Sequence, residues 1–266
     1  MALPVFKDIH PAHDGGGYSC TNEEPHIHTA LIDRYHPKGK TFQRAAAISS
    51  GGEIPILVLL SRAEEVIAID HSYMALGHAY LKCIMLDLFG PKAFLDMITT
   101  GDHATATKMF TEAKPLVPTC MHPRLYSFDV SSNKKFWNIS LETLTLIHSR
   151  LDKLTFVHGD LTDLSHFGVF DVLYISNALE HQGRSRKGPK MDDFRTFVKD
   201  DGLVLMTTAK GAKNLEWAGP FPGWETLNTK EENMIGPQWV GQLWDYRILA
   251  KRPVCDAPPA DLATGV

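Results

Sequence analysis

Short runs of apolar residues alternate along the chain with longer segments that have helical periodicity. The runs predict buried strands at 44–48, 65–70, 154–158, 170–176 and 202–208, and a last antiparallel strand at 242–251. Apolar positions at helical spacing over 72–89 predict a long helix that ends at Gly90 and Pro91. Strands without a polar face that alternate with helices favour an α/β fold, with a doubly wound, mostly parallel sheet covered on both faces.

Three segments of different character divide the chain. Residues 1–40 form a polar arm, rich in glycine and histidine, with one short helix-like stretch at 28–35, and we expect this arm to act as a lid. Residues 41–252 form the predicted sheet domain, with an insertion of irregular helices near 99–137. Residues 253–266 are rich in proline and alanine and are expected to be a flexible tail.

Composition narrows the class of protein. The 266 residues are 44% hydrophobic and 22% charged, with a net charge of −4, which is typical of a soluble globular domain and does not indicate a nucleic-acid partner. No apolar run approaches the roughly 18 residues of a membrane span. The N-terminus lacks the pattern of a secretory signal. The four cysteines form no CxxC pair, which predicts reduced thiols and a cytoplasmic location.

Histidine is the one unusual component, with 13 residues, many of them in the arm. His10 and His13, and His26 and His28, have spacings that metal ligands can have. No acid or cysteine follows them at a recognisable interval, and a mobile arm is a poor cage for an ion. We therefore predict no metal site.

Small and acidic residues follow three of the predicted strands. In a doubly wound sheet, ligands bind at the carboxyl ends of the strands. Asp70 stands where a carboxylate can bind both hydroxyls of a ribose, and Asp160 where one can accept from an adenine amino group. The candidates for contact with a cofactor at these three strand ends are Ser49, Ser50, Gly51, Gly52, Glu53, Asp70, His71, Asp160 and Leu161.

The loop at 49–53 also indicates whether the bound nucleoside carries phosphate groups. It contains Gly51 and Gly52 but no G-x-G-x-x-G for a pyrophosphate, and the chain has no G-x-x-x-x-G-K-[ST] for a triphosphate. A nucleoside without phosphate fits better, and this predicts S-adenosylmethionine as the cofactor.

A fourth strand end would then face the sulfonium and the acceptor. Ser176 and Asn177 are candidates for cofactor contact there, and Glu180 and His181 are candidate bases. Tyr18, on the glycine-rich arm, is a further catalytic candidate.

Two stretches carry a resemblance to a known family. The sequences AAISSGGEIPILVLL at 46–60 and VIAID at 66–70 resemble the S-adenosylmethionine-dependent 3-amino-3-carboxypropyl transferases, which include the betaine-lipid synthases and are akin to isonocardicin and discadenine synthases. Lys82 on the following helix, Phe89-Gly90 and Phe136-Trp137 continue the likeness, which covers roughly residues 42–210. Lys82 itself is interpreted as a solvated or snorkelling helix residue.

The chain departs from that family at two places. Glu53 stands where the family often has asparagine, and His71-Ser72 replaces the usual Asn-Pro. The resemblance implies a Rossmann-like, doubly wound, mostly parallel sheet of the class I methyltransferase type. It also implies transfer of the 3-amino-3-carboxypropyl group to a small soluble nucleophile, with release of methylthioadenosine. A small-molecule methyltransferase using the same cofactor, and a non-catalytic nucleoside-binding protein, remain open as alternatives.

Overall fold

One sheet forms the centre of the molecule. The computed structural model describes residues 3–10, 25–36, 40–135, 137–176, 178, 190–209, 221–228 and 244–252. The strands within these ranges are β1 (Val5–Asp8), β2 (Phe42–Ile48), β3 (Ala63–Asp70), β4 (Leu154–His158), β5 (Phe170–Ser176), β6 (Val198–Ala209), β7 (Trp224–Thr226) and β8 (Trp244–Lys251).

Helices cover the sheet on both faces. They are α1 (Pro25–Tyr35), α2 (Tyr73–Thr100), α3 (His103–Ala113), α4 (Val130–Lys134), α5 (Leu141–His148) and α6 (Met191–Phe194). A π-helical segment, Ile54–Leu59, follows β2, and 3₁₀ turns lie at Lys114–Leu116, Thr119–Arg124, Leu151–Lys153 and Leu161–Phe167. The predicted helix end at Gly90 is a kink instead: Gly90 has φ 81° and ψ 160°, and helical structure resumes at Pro91.

The strand order is β1-β4-β3-β2-β5-β6-β8-β7. Neighbouring strands from β1 to β6 are parallel, whereas β8 is antiparallel to both β6 and β7. Without β1, the order β4-β3-β2-β5-β6-β8-β7 with one reversed strand is that of the class I methyltransferase fold. The predicted fold class is therefore confirmed, and so is the antiparallel last strand.

Side chains along the strands point alternately to the two faces of the sheet, so the hydrophobic core has two layers. Ala45, Ala47 and Tyr174 face the layer that contains α1 and α2. Their neighbours Ala46 and Leu173 face the other layer, which contains α6. Successive residues of a strand point to opposite faces, so a sheet covered on both faces needs the continuous apolar runs seen in the sequence.

The chain reverses direction across the sheet between β2 and β5, which lie side by side. The carboxyl ends of these strands therefore flank the switch point where doubly wound sheets bind ligands. Strand β1 extends the sheet beyond β4, and the sequence pattern had not predicted this strand.

Within the part of the chain described, no helix is both long and apolar enough to cross a membrane.

Candidate functional site

The loop after β2 has a backbone conformation that glycine favours. Ser50, Gly51 and Gly52 have φ values of 47°, 111° and 103°. A Cβ on Gly52 would lie 2.7 Å from the Cβ and 2.9 Å from the Cα of Ala79 in α2. The loop therefore packs directly on α2, and its main chain lies at the switch point of the sheet.

We expect Gly52→Ala to lower the free energy of unfolding by about 2–3 kcal/mol, since backbone strain at positive φ and the overlap with Ala79 add together. Urea denaturation measures the loss. Gly90→Ala is the matched control, because Gly90 also has positive φ but a Cβ there would meet nothing within 4 Å. Equal losses in the two variants would show that contact with α2 does not constrain the loop.

Asp70 connects two of the predicted binding loops. One carboxylate oxygen accepts from the backbone N–H of Ser50 at 3.0 Å, and the other accepts from that of Ser72 at 3.0 Å. Burial raises the pKa of Asp70, while these N–H donors and the nearby His71 oppose that rise. The side chain is 8% exposed. Contact with a ribose stays a prediction, and the structure adds a second role, which is to fix the loop after β2.

The end of β4 is organised by residues that the sequence did not single out. His158 is fully buried and stacks on Tyr73 with ring centroids 3.8 Å apart. The carboxylate of Asp8 hydrogen-bonds to His158 Nδ1 at 2.9 Å and accepts from the Tyr73 hydroxyl at 2.7 Å. Partial burial opposes ionisation of Asp8, but the bonds from Tyr73 and His158 outweigh it and lower the pKa. The sequence carries no signal for this cluster, because it depends on pairing β1 with β4.

A small open depression lies beside that cluster. It has a volume of about 60 Å³ and is lined by His10, His71, His158, Gly159 and Asp160. Two of these residues, His71 and Asp160, are among the predicted cofactor contacts. Leu161 begins the 3₁₀ turn that follows. The lining residues of the depression include no lysine or arginine that could bind a phosphate, which suits the base of a nucleoside.

One cluster near this depression has donor atoms close enough to hold a metal ion. The ligand atoms of His10, Asp160 and Asp163 lie within 4.8 Å of one another. Asp163 is already engaged, since its Oδ2 lies 3.0 Å from His10 Nε2 and accepts from the Asp160 N–H at 2.7 Å. These bonds explain the cluster as the cap of a 3₁₀ turn.

The interpretation of Lys82 as a solvated residue is wrong. Lys82 and Glu53 are both fully buried, and their side chains form an ion pair beneath the loop after β2. Lys82 also donates to the carbonyl of Gly51 at 2.8 Å. The contact depends on how α2 packs against the loop after β2, and the position of Lys82 in the sequence does not reveal that packing. The Glu53 carboxylate thus faces Lys82 rather than solvent.

Ser49 directly follows β2, and Ser176 is the last residue of β5. Both are buried, and Ser176 has φ 52° beside a register shift between β5 and β6. The other predicted residues of this region, Asn177, Glu180 and His181, lie outside the described residues, as does Tyr18 of the arm. Phe136 also lies outside them, whereas its neighbour Trp137 is buried against Phe94.

Several solved structures resemble this chain at low identity. The N-methyltransferase NodS from Bradyrhizobium japonicum WM9 is 10% identical, with 86% of this chain and 96% of that chain covered and a TM-score of 0.44. The rRNA methyltransferase aviRa from Streptomyces viridochromogenes is 14% identical, with 91% and 89% covered and a TM-score of 0.48. MtNAS, in complex with MTA and tNA, is 13% identical, with 86% and 58% covered and a TM-score of 0.41.

No protein-family model and no curated protein sequence matches the chain. The strand order of the chain, rather than these likenesses, establishes its fold.

Proposed function

We propose that this chain is an S-adenosylmethionine-dependent transferase that moves the 3-amino-3-carboxypropyl group to a small soluble nucleophile and releases methylthioadenosine. One observation carries the proposal: the glycine loop, Asp70 and the depression at Asp160 lie at the ends of three adjacent parallel strands. This is the edge at which doubly wound sheets bind nucleosides.

The described residues fit an adenosine without phosphate. The loop at 49–52 carries only small side chains or none, so its main chain can approach the ligand closely. Asp70 and Asp160 offer carboxylates for hydroxyl and amino groups, and a carboxylate disfavours a phosphate. A pyrophosphate would need a glycine pattern that the loop lacks.

The protein's contribution is selection and positioning. Bound S-adenosylmethionine supplies a sulfonium whose three attached carbons are open to nucleophilic attack. Residues 49–52 would set which of these carbons faces the acceptor, since attack requires an in-line approach at about 3–3.5 Å. Glu180, His181 and Tyr18 stay our candidates for removing a proton from the acceptor. The glycine-rich part of the arm around Tyr18 would exclude water from the site.

Product analysis tests the proposal. Protein is incubated with S-adenosylmethionine and a panel of small amines, thiols and alcohols, and the products are resolved by mass. We expect methylthioadenosine and an acceptor that has gained the aminocarboxypropyl group. An acceptor-free reaction serves as control, because attack within the cofactor also yields methylthioadenosine.

The same experiment separates the alternatives. The class I strand order also favours a methyltransferase, for which S-adenosylhomocysteine would be the nucleoside product, and finding it would reject aminocarboxypropyl transfer. Tight calorimetric binding of S-adenosylmethionine without turnover would indicate a nucleoside-binding protein. Absence of binding would reject all three functions. A parallel reaction with ribosomal RNA tests our expectation that the acceptor is not a nucleic acid.

A further inference from the structure

Six uncharged side chains among the described residues have a buried polar atom without a hydrogen-bond partner. Three of the six belong to the central strands and to the helix packed on them. They are His28 on α1, Ser49 after β2 and Tyr174 on β5. Both ring nitrogens of His28, the hydroxyl of Ser49 and the hydroxyl of Tyr174 are unsatisfied. Buried polar groups in folded proteins are nearly always paired, so a concentration of unpaired ones indicates a missing partner.

These groups lie on one face of the sheet, next to the switch point. Tyr174 pairs with Ala47 across β5 and β2, and Ser49 follows Ala47 by two residues and so belongs to the same face. The His28 ring meets Tyr174 edge-on, with centroids 4.9 Å apart. The side chains of Tyr174 and His28 are thus in contact, and Ser49 lies on the same face of the sheet directly after β2.

Tyr174, on β5, lies on the opposite side of β2 from the depression at Asp160, and Ser49 lies between them at the end of β2. The order β4-β3-β2-β5 places β5 three strand spacings from β4, or about 14 Å. A nucleoside held at the ends of β3 and β4 would therefore extend its reactive group toward Ser49 and Tyr174. The second reactant of a transfer must approach from this side.

The chemistry of the cluster restricts what it can bind. Burial, with a smaller effect from His26, lowers the pKa of His28 to about 3, so its imidazole is neutral and offers one donor and one acceptor. The hydroxyls of Ser49 and Tyr174 can do the same. Such a set matches a neutral amine or hydroxyl, which both donates and accepts, and it provides no charge to balance an ion.

We propose that His28, Ser49 and Tyr174 form the acceptor subsite, which binds the uncharged amine or hydroxyl that attacks the cofactor. This subsite rests on the proposed transferase function. His28 would accept the N–H or O–H hydrogen and so orient the lone pair of the nucleophile. Because none of the three side chains reaches solvent, entry of the acceptor requires α1 to move away from the sheet.

Nitrogen NMR of ¹⁵N-histidine-labelled full-length protein tests the subsite with hydroxylamine as the probe, a small nucleophile that is uncharged at neutral pH. We expect the His28 ring resonances, assigned with His28→Leu, to shift on titration. Tyr174→Phe should weaken hydroxylamine binding about tenfold without changing the affinity for S-adenosylmethionine. His28 resonances that stay unchanged throughout the titration, with or without S-adenosylmethionine, would overturn the subsite.

Stability gives a second, independent measurement. His28→Leu should raise the thermal unfolding midpoint, because it removes two unpaired buried nitrogens. The control His122→Leu should lower it, because His122 Nε2 hydrogen-bonds to the Val117 carbonyl at 2.7 Å. A lowered midpoint for His28→Leu would mean that the histidine is already satisfied, which contradicts the proposal. Failure of S-adenosylmethionine to bind, with the His28 shifts intact, would reject the proposed function alone.

Discussion

Replacing Lys82 by methionine is expected to lower the free energy of unfolding by about 3–5 kcal/mol, the largest change we predict for stability. The substitution keeps an unbranched side chain of nearly the same length but leaves the Glu53 carboxylate buried without its cation. It also leaves the Gly51 carbonyl without its 2.8 Å donor. Denaturant unfolding measures the loss.

Two further variants isolate the buried charge. Lys92→Met changes a lysine of the same helix whose ion pair with Asp96 is exposed, and we expect a change below about 1 kcal/mol. In the double variant Lys82→Met with Glu53→Gln, both charges are absent, and much of the lost stability should return. Similar losses for Lys82→Met and Lys92→Met would show that the pair is not buried in solution.

The position of Lys82 also explains its neighbours. Burial and the charge of Lys82 lower the pKa of His78 to about 3, so this histidine stays neutral next to the ammonium. Burial likewise raises the pKa of the Cys83 thiol, which makes this cysteine a poor nucleophile. The Lys82–Glu53 ion pair therefore lies in the interior between α2 and the loop after β2, closed to solvent.

Asp70→Ala should reduce the affinity for S-adenosylmethionine by about 100-fold or more. Hydrogen bonds to a charged group contribute about 1.5–3 kcal/mol each, and about 2.7 kcal/mol corresponds to a hundredfold change in binding. The variant removes the proposed ribose ligand. It also releases the Ser50 and Ser72 N–H groups, which set the shape of the binding loops. Calorimetric titration measures the affinity.

Asp171→Ala is the matched control for this variant. Asp171 accepts from the backbone N–H of Arg44 at 2.8 Å and pairs with Lys199, but it lies near the amino end of β5. We expect this variant to lose stability while binding S-adenosylmethionine normally. If Asp70→Ala also kept its affinity, the nucleoside could not lie at the end of β3.

The central strands could be predicted because their apolar runs depend on burial alone. The predicted strands at 44–48, 65–70 and 170–176 correspond to β2, β3 and β5 with shifts of at most two residues. The edge strands β1 and β7 carry no such signal: β1, for example, is mostly exposed. Their pairing is decided by neighbours distant in the sequence.

The sequence by itself determined the class of sheet, the order of its loops and the residue types at the ends of its strands, because these follow from local periodicity and turn chemistry. Only the tertiary structure decided which polar groups meet. Lys82 is buried in an ion pair with Glu53, and Asp8 hydrogen-bonds to His158, 150 residues further along the chain. The ring of His28 contacts that of Tyr174. Such contacts depend on the packing of helices and strands in three dimensions, and no pattern within a single segment encodes them.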